Sequence, residues 1–216
     1  MLYFLEGKRL MKSLATDFRL ILSIVCAHIL IYITYQNDNV FWYIYTATML
    51  FCTSLAIAFN PSKNTMNTAP LKNILIGIVS GIGLYITFAL FNMLVDITNI
   101  ESLSKAIKSL YKTYSPSELW QLLVLFIIII PGEEIFWRGY IQHKLSLKIS
   151  SKWVIVISAI LYSLPMLYAQ NTALVLAGIV GGIVWAALYE WKKSLSLVIA
   201  SHVVFDLLLL IVFPFY

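Results

Sequence analysis

Seven long apolar stretches, each bounded by polar or charged residues, run along the chain. An α-helix needs about 20 mainly apolar residues to cross the hydrocarbon core of a bilayer, and most of these stretches have about that length. Helices also satisfy their backbone hydrogen bonds internally, as a membrane interior requires. The pattern therefore predicts seven membrane spans, at about residues 18–35, 40–59, 73–95, 116–148, 153–169, 172–189 and 195–213.

The segments between the spans predict surface helices and short connections. Residues 1–17 and 96–114 mix apolar residues with lysine and arginine, a pattern typical of an amphipathic helix lying on the membrane surface. Two prolines within residues 60–72 indicate a loop. Residues 190–194 are predicted to form a short basic turn.

Local signals predict one helix start and two close helix contacts. Before the fourth span, the sequence predicts Ser115 as N-cap, Pro116 in the first helical position and Glu118 as the partner in a capping box. Two spans also carry glycines four residues apart, which predicts that another helix packs closely on each. These glycines are Gly77 and Gly81 in the third span and Gly178 and Gly182 in the sixth.

The composition of the whole chain supports the interpretation as a membrane protein. Of the 216 residues, 61% are hydrophobic and only 12% are charged, whereas soluble domains have about 25% charged residues. We therefore predict an all-α, polytopic helical bundle that forms one domain over residues 1–216, and we expect no nucleic-acid partner despite the net charge of +5. Cys26 and Cys52 lie in apolar stretches without a CxxC pattern, which favours buried thiols over a disulfide.

The distribution of lysine and arginine predicts the orientation. With the N-terminus in the cytoplasm, inner segments carry 12 of the 15 basic residues and outer segments carry 3. Because cytoplasmic loops are enriched in such residues, the N-terminus is predicted to be inside and the C-terminus outside. No small-residue cleavage site follows the basic N-terminus, so we expect a first helix rather than a signal peptide. The predicted location is a plasma membrane, and the many Lys, Asn and Ile residues favour a bacterial one.

Three charged residues, Glu133, Glu134 and Arg138, interrupt the fourth apolar stretch. Each charge at membrane depth costs roughly 2.5–3.5 kcal/mol, so the group needs partners or a function. The i, i+4 spacing predicts that Arg138 pairs with Glu134, while Glu133 points about 100° away, towards a cavity. A purely structural cluster is the alternative, but two carboxylates beside one cation favour function. Pro131 cannot donate to Ile127 and predicts a bend just before the carboxylates.

A second polar pair, His202 and Asp206, lies in the seventh span at the same spacing. Imidazole can bind a metal or move a proton, and the carboxylate can bind a metal or orient the imidazole. A hydrogen-bonded structural pair is the alternative. From the helical rise, Glu134 lies roughly 21 Å and His202 roughly 14 Å from the inner ends of their spans. The two motifs are therefore predicted to share a pocket below the inner surface.

Together these motifs resemble those of a known enzyme family. The relevant residues are Glu133, Glu134, Arg138 and Gly139, then an apolar helix pair, then His202 and Asp206. Over about residues 116–213 the chain resembles the CPBP (CAAX protease and bacteriocin-processing, or Abi) family of intramembrane endopeptidases. The functions attached to that family range from prenyl-protein maturation to bacteriocin immunity.

The resemblance implies a site in which a glutamate activates the attacking water. Histidines from two later helices and an Asn or Asp complete such sites, as metal ligands of a metalloprotease or as oxyanion stabilisers. Carried over to this chain, the implied catalytic residues are Glu133, Glu134, Arg138, His202 and Asp206. Glu133, His202 and Asp206 are the implied ligands if Zn²⁺ or another divalent metal binds, and a site without metal is the alternative.

The chain departs from the family pattern at one position. The middle motif, aromatic-x-x-x-His, corresponds to a segment that begins at Tyr162 and ends at Met166 instead of His. A thioether is a poor base and a poor ligand for Zn²⁺. His28 is predicted to be a packed residue of the first span and His143 to lie near the cytosolic surface, so neither is expected to substitute.

The sequence supports two principal functions. The first is an intramembrane endopeptidase that cleaves membrane-tethered or lipidated peptides with Glu133 as general base. The second is a catalytically inactive family member that binds or controls a membrane-protein partner, which Met166 favours. A small proton-coupled transporter is a third hypothesis, disfavoured because the sequence contains neither inverted repeats nor a pair of broken helices.

Overall fold

The computed structural model describes residues 17–60 and 70–215, and within them every regular element is helical. Seven helices are long and apolar enough to cross a membrane, and one shorter helix is amphipathic. They are α1 (Phe18–Tyr35), α2 (Phe41–Phe59), α3 (Pro70–Ile97), α4 (Glu101–Tyr114), α5 (Leu119–Ser146), α6 (Ser151–Ala169), α7 (Thr172–Lys192) and α8 (Leu195–Val212). The predicted all-α polytopic bundle is confirmed.

The predicted start of the fourth span is wrong by a few residues. Ser115 ends α4 instead: its backbone N–H donates to Tyr111, and its backbone is extended because a proline follows. The side-chain oxygen of Gln121 accepts from the backbone N–H of Ser117 at 2.6 Å and of Glu118 at 3.0 Å. These contacts cap α5 at Leu119, so Ser115 and Pro116 precede the helix that they were predicted to begin.

Two predicted connections are also too long. α3 already begins at Pro70, because proline fits the first turn of a helix, where its missing N–H is not needed. α7 continues to Lys192 and ends with Lys193 in the left-handed conformation, a C-cap that glycine usually provides. The predicted surface helix of residues 1–17 and the centre of the predicted loop, residues 61–69, lie outside the described residues apart from Asp17.

α5, the helix that carries the charged motif, is irregular along much of its length. It is π-helical over Leu125–Ile129 and again over Glu134–Gln142, with the short α-helical segment Ile130–Glu133 between them. Pro131 lies in that short segment, where its lack of an N–H coincides with a change of helical geometry. Such π segments are frequent at functional sites.

The glycines predicted at helix contacts do permit close packing. A Cβ added to Gly77 or Gly81 would overlap a backbone oxygen of α8, from Leu197 and Ser201 respectively. α3 therefore lies directly against the backbone of α8. Gly182 makes a similar contact between α7 and α6, at Tyr162.

We expect Gly81→Ala to destabilise the protein and Gly83→Ala to leave it unchanged or slightly more stable. The methyl group at residue 81 would overlap the Ser201 carbonyl, which cannot move unless α3 and α8 separate. Overpacking of this kind costs about 1–3 kcal/mol. At residue 83 an added Cβ meets open space among the described residues, and alanine favours a helix. Thermal unfolding in detergent tests the contact, and equal midpoints for the two variants would contradict it.

Candidate active site

The carboxylate of Glu134 is the centre of a buried charged cluster. Its Oε1 accepts from Nη1 of Arg138 at 3.2 Å and pairs with Nδ1 of His202 at 2.8 Å. The exposed fraction of each of these three residues is 5% or less. The predicted Glu134–Arg138 pair is present. His202 of α8 also contacts Glu134, and the sequence did not predict this contact.

Aromatic rings enclose this cluster. The guanidinium of Arg138 lies 4.1 Å from the ring centroid of Tyr162 and 5.5 Å from that of Trp185. The imidazole of His202 stacks on Trp185 with centroids 3.8 Å apart. Cation–π contacts of this kind are strongest where water is excluded. The rings therefore fix both partners of Glu134 in orientation as well as in distance.

Glu133 points away from that cluster and lines a cavity, as predicted, but it is not free. Each of its carboxylate oxygens accepts a tyrosine hydroxyl: Oε1 from Tyr45 of α2, and Oε2 from Tyr162 of α6 at 2.8 Å. Each oxygen retains one further acceptor site, because a carboxylate offers about four in total. Three helices thus hold Glu133 in place while leaving it able to bind a water molecule.

Tyr45 was missed as a site residue by sequence reasoning. Its position near the start of the second span predicts only an aromatic side chain at the membrane surface. It lies 88 residues before Glu133 in the chain, and no motif or periodicity links the two. Tyr162 was noted only as the aromatic residue of the middle motif.

His202 and Asp206 lie side by side as predicted, but they are not directly hydrogen-bonded. Nε2 of the imidazole is 3.7 Å from Oδ2 of Asp206, beyond hydrogen-bond distance, while Nδ1 is engaged by Glu134. Both residues line the cavity that also contains Glu133. The structure therefore brings Glu133, His202 and Asp206 to one cavity, with Glu134 and Arg138 packed behind it.

Met166 lines the same cavity. It lies in the 3₁₀ segment Leu164–Ala169 at the end of α6, and its side chain packs over Gly178, where an added Cβ would overlap the sulfur. His28 is half-buried and contacts the Tyr168 hydroxyl at 3.0 Å. His143 is also half-buried, and neither histidine lines the cavity.

The cavity has a volume of about 410 Å³ and mainly apolar walls. Its lining comes from the half of the bundle that contains α4, the start of α5 and the end of α8. The pocket was predicted below the inner surface, which is the end of the bundle at which α1 begins. That position is therefore wrong. The estimate from helical rise gave a depth for each motif, but it did not reveal on which side the interior is filled by larger side chains.

The side chains do not fit the metal site that the resemblance implied. Within residues 17–60 and 70–215, no group of three or more His, Cys, Asp or Glu side chains is arranged to hold an ion. Nδ1 of His202 and both oxygens of Glu133 already have protein partners. Zn²⁺ normally takes at least three protein ligands. No chemical step is therefore assigned to a metal below.

Comparison with known families agrees with this geometry. Residues 115–208 match the family model described as Type II CAAX prenyl endopeptidase Rce1-like. This is the CPBP family, a family of proteases, and the chain is similar to it over these residues, as its motifs predicted. The matched region contains the charged cluster and Met166 but not Tyr45. No curated protein and no solved structure matches the chain.

We expect Arg138→Met to lower stability strongly and Glu134→Gln to restore much of it in the double variant. Removing only the guanidinium leaves the buried Glu134 carboxylate with His202 as its remaining partner, and breaking a buried pair in this way costs about 3–5 kcal/mol. A neutral Gln can still accept from His202. Thermal unfolding of the wild type, both single variants and the double variant gives the coupling energy.

The exposed pair of Lys105 and Glu101 is the matched control for this cycle. These residues have the same i, i+4 spacing and a distance of 2.9 Å, but their side chains are 76% and 79% exposed. Lys105→Met should therefore have little effect, since exposed pairs contribute little. A similarly small effect of Arg138→Met would show that the cluster does not stabilise the fold.

Proposed function

We propose that the chain is an intramembrane endopeptidase that hydrolyses membrane-tethered or lipidated peptides with a water molecule activated by Glu133. The observation that carries the proposal is the placement of this one carboxylate. It lines an apolar cavity beside His202, and two tyrosine hydroxyls fix its orientation. The similarity of residues 115–208 to a protease family supports the same reaction class.

In the proposed step, a water molecule bound to Glu133 attacks the carbon of the scissile peptide carbonyl. The carboxylate accepts one proton from the water as the new C–O bond forms. The C–N bond then breaks, and Glu133 returns the proton to the leaving amine. The products are a carboxylic acid and an amine, so one water molecule is consumed and Glu133 is regenerated.

His202 is the group proposed to stabilise the oxyanion of this reaction. Nδ1 is held by Glu134, so Nε2 is the nitrogen left to face the cavity, beside Asp206. In the imidazolium form, both ring nitrogens carry a hydrogen, so Nδ1–H donates to Glu134 and Nε2–H can donate to the oxygen on which negative charge develops. The carboxylate of Asp206 lies 3.7 Å from this nitrogen and favours the charged ring electrostatically, while Glu134 and Arg138 are positioning residues that fix the imidazole.

A second candidate is a catalytically inactive family member that uses the same cavity to bind a membrane-protein or lipid-linked partner. Two specific observations favour it. Met166 stands at the cavity wall where the family pattern has a histidine. In addition, both oxygens of Glu133 already accept a tyrosine hydroxyl, which weakens a carboxylate as a base.

We expect Glu133→Gln to abolish cleavage of a tethered peptide without unfolding the protein. General acid–base catalysis contributes about 10²- to 10⁴-fold, and an amide cannot accept the proton. Purified protein in vesicles, supplied with fluorogenic peptides that carry an apolar anchor, gives the rate. Glu118→Gln, at the exposed start of α5, is the control and should retain the wild-type rate. Full activity of Glu133→Gln would exclude Glu133 as the base.

Met166→His separates the two candidate functions. If the wild type cleaves, Met166→His should change the rate only modestly, because the base and the oxyanion donor are already present. If the wild type cleaves no peptide in the set and Met166→His does, the inactive-scaffold function is supported and the endopeptidase function is contradicted. Met166→Leu is the matched control, since it keeps an apolar side chain over Gly178.

A further inference from the structure

We propose that the cavity is reached from the non-cytoplasmic side of the membrane, so that its substrate is an anchored peptide whose cleavage site lies at the outer leaflet. That the bound peptide is a substrate rests on the proposed function. The access route itself depends only on where the cavity opens and how the bundle is oriented.

The cavity belongs to one end of the bundle. Consecutive spans run in opposite directions, and the lining residues alternate accordingly between the ends and the beginnings of the helices. They include Tyr35 at the end of α1, Phe41 at the start of α2, Asn92 near the end of α3, Ser115 just before α5, Met166 near the end of α6, Ala173 at the start of α7 and Leu210 near the end of α8. All of these positions lie on the side of the bundle that carries α4.

The other half of the bundle is filled. Below Glu133, the second half of α5 consists of side chains with 3% exposure or less, from Phe136 to Gln142. The Gln142 amide donates to the Ala186 carbonyl of α7 at 2.8 Å, and Tyr189 is also fully buried at this level. Glu133 is therefore reached through the cavity and not from the end at which α1 begins.

Basic residues mark the filled end as cytoplasmic. Apart from the buried Arg138, the described lysines and arginines at that end are Arg19, Lys72, Lys144, Lys148, Lys152, Lys192 and Lys193. The cavity end carries only the three lysines of α4, namely Lys105, Lys108 and Lys112, among the described residues. Short loops rich in Lys and Arg remain in the cytoplasm. This asymmetry places the end of the bundle that contains the cavity on the opposite face.

The position of the cavity determines from which side of the membrane a substrate reaches it. A peptide that is cleaved here must first have been inserted in, or carried across, the membrane, with its apolar anchor in the bilayer and its cleavage site near the outer leaflet. The apolar walls suit the anchor, and Glu133 lies at their inner end. The substrate class is thus an exported or membrane-inserted peptide rather than a cytosolic protein tail.

The access route can be tested by cysteine labelling in intact cells, independently of any activity. In a background with Cys26→Ala and Cys52→Ala, single cysteines are introduced as Lys108→Cys on α4, Leu174→Cys in the cavity wall and Lys152→Cys at the filled end. A maleimide that cannot cross membranes is applied before or after permeabilisation. Labelling after permeabilisation gives the total for each variant.

We expect Lys108→Cys and Leu174→Cys to be labelled nearly completely in intact cells, and Lys152→Cys only after permeabilisation. Labelling of Lys152→Cys in intact cells, alone or together with Lys108→Cys, would overturn the orientation. If Lys108→Cys is labelled but Leu174→Cys is not, the claim that the cavity opens to this side is wrong.

The substrate side of the inference is tested in oriented vesicles. An anchored peptide that cannot cross the bilayer is added to right-side-out and to inside-out vesicles. Cleavage in right-side-out vesicles only supports the inference, and cleavage in inside-out vesicles only contradicts it. Cleavage in neither contradicts the proposed endopeptidase function instead, and the labelling result then decides the access route alone.

Discussion

The shared oxygen of Glu134 determines how the two helices of the site are placed. Its Oε1 binds Arg138 from the same helix and His202 from α8. An unpaired charge here would cost several kcal/mol. The three side chains remain together only if α5 and α8 do not slide along each other. The close contact of α3 with α8 at Gly77 and Gly81 fixes the position of α8 from its other side. The positions of His202 and Asp206 at the cavity therefore depend on a carboxylate that does not line it.

Adjacent glutamates thus acquire different roles from their surroundings. Glu134 lies among cationic partners and aromatic rings, whereas Glu133, one residue earlier, projects into the cavity and is held by Tyr45 and Tyr162. The family motif contains both glutamates, but only the packing of the other helices distinguishes the proposed base from the residue that supports it. The same packing fills the half of the bundle at which α1 begins and leaves the other half open, which links the site to one face of the membrane.

The sequence predicts features that depend on neighbours along the chain. Apolar length located the spans, with α1 predicted to the residue, and the i, i+4 spacing predicted the Glu134–Arg138 pair. Contacts between distant segments could not be predicted. His202 meets Glu134 across 68 residues and Tyr45 meets Glu133 across 88. The start of α5 was misplaced because Gln121, a residue inside the helix, supplies the cap in place of the expected serine.

Thermal unfolding of Glu133→Gln and Glu134→Gln, compared side by side in detergent, tests this division of roles most directly. Loss of the Glu134 charge leaves the Arg138 guanidinium buried without its counter-ion, so the unfolding midpoint should fall well below that of the wild type. Loss of the Glu133 charge removes a carboxylate that lies at an apolar wall and serves the proposed function, so the midpoint should stay the same or rise. A large decrease for Glu133→Gln together with no decrease for Glu134→Gln would contradict the assignment of both residues.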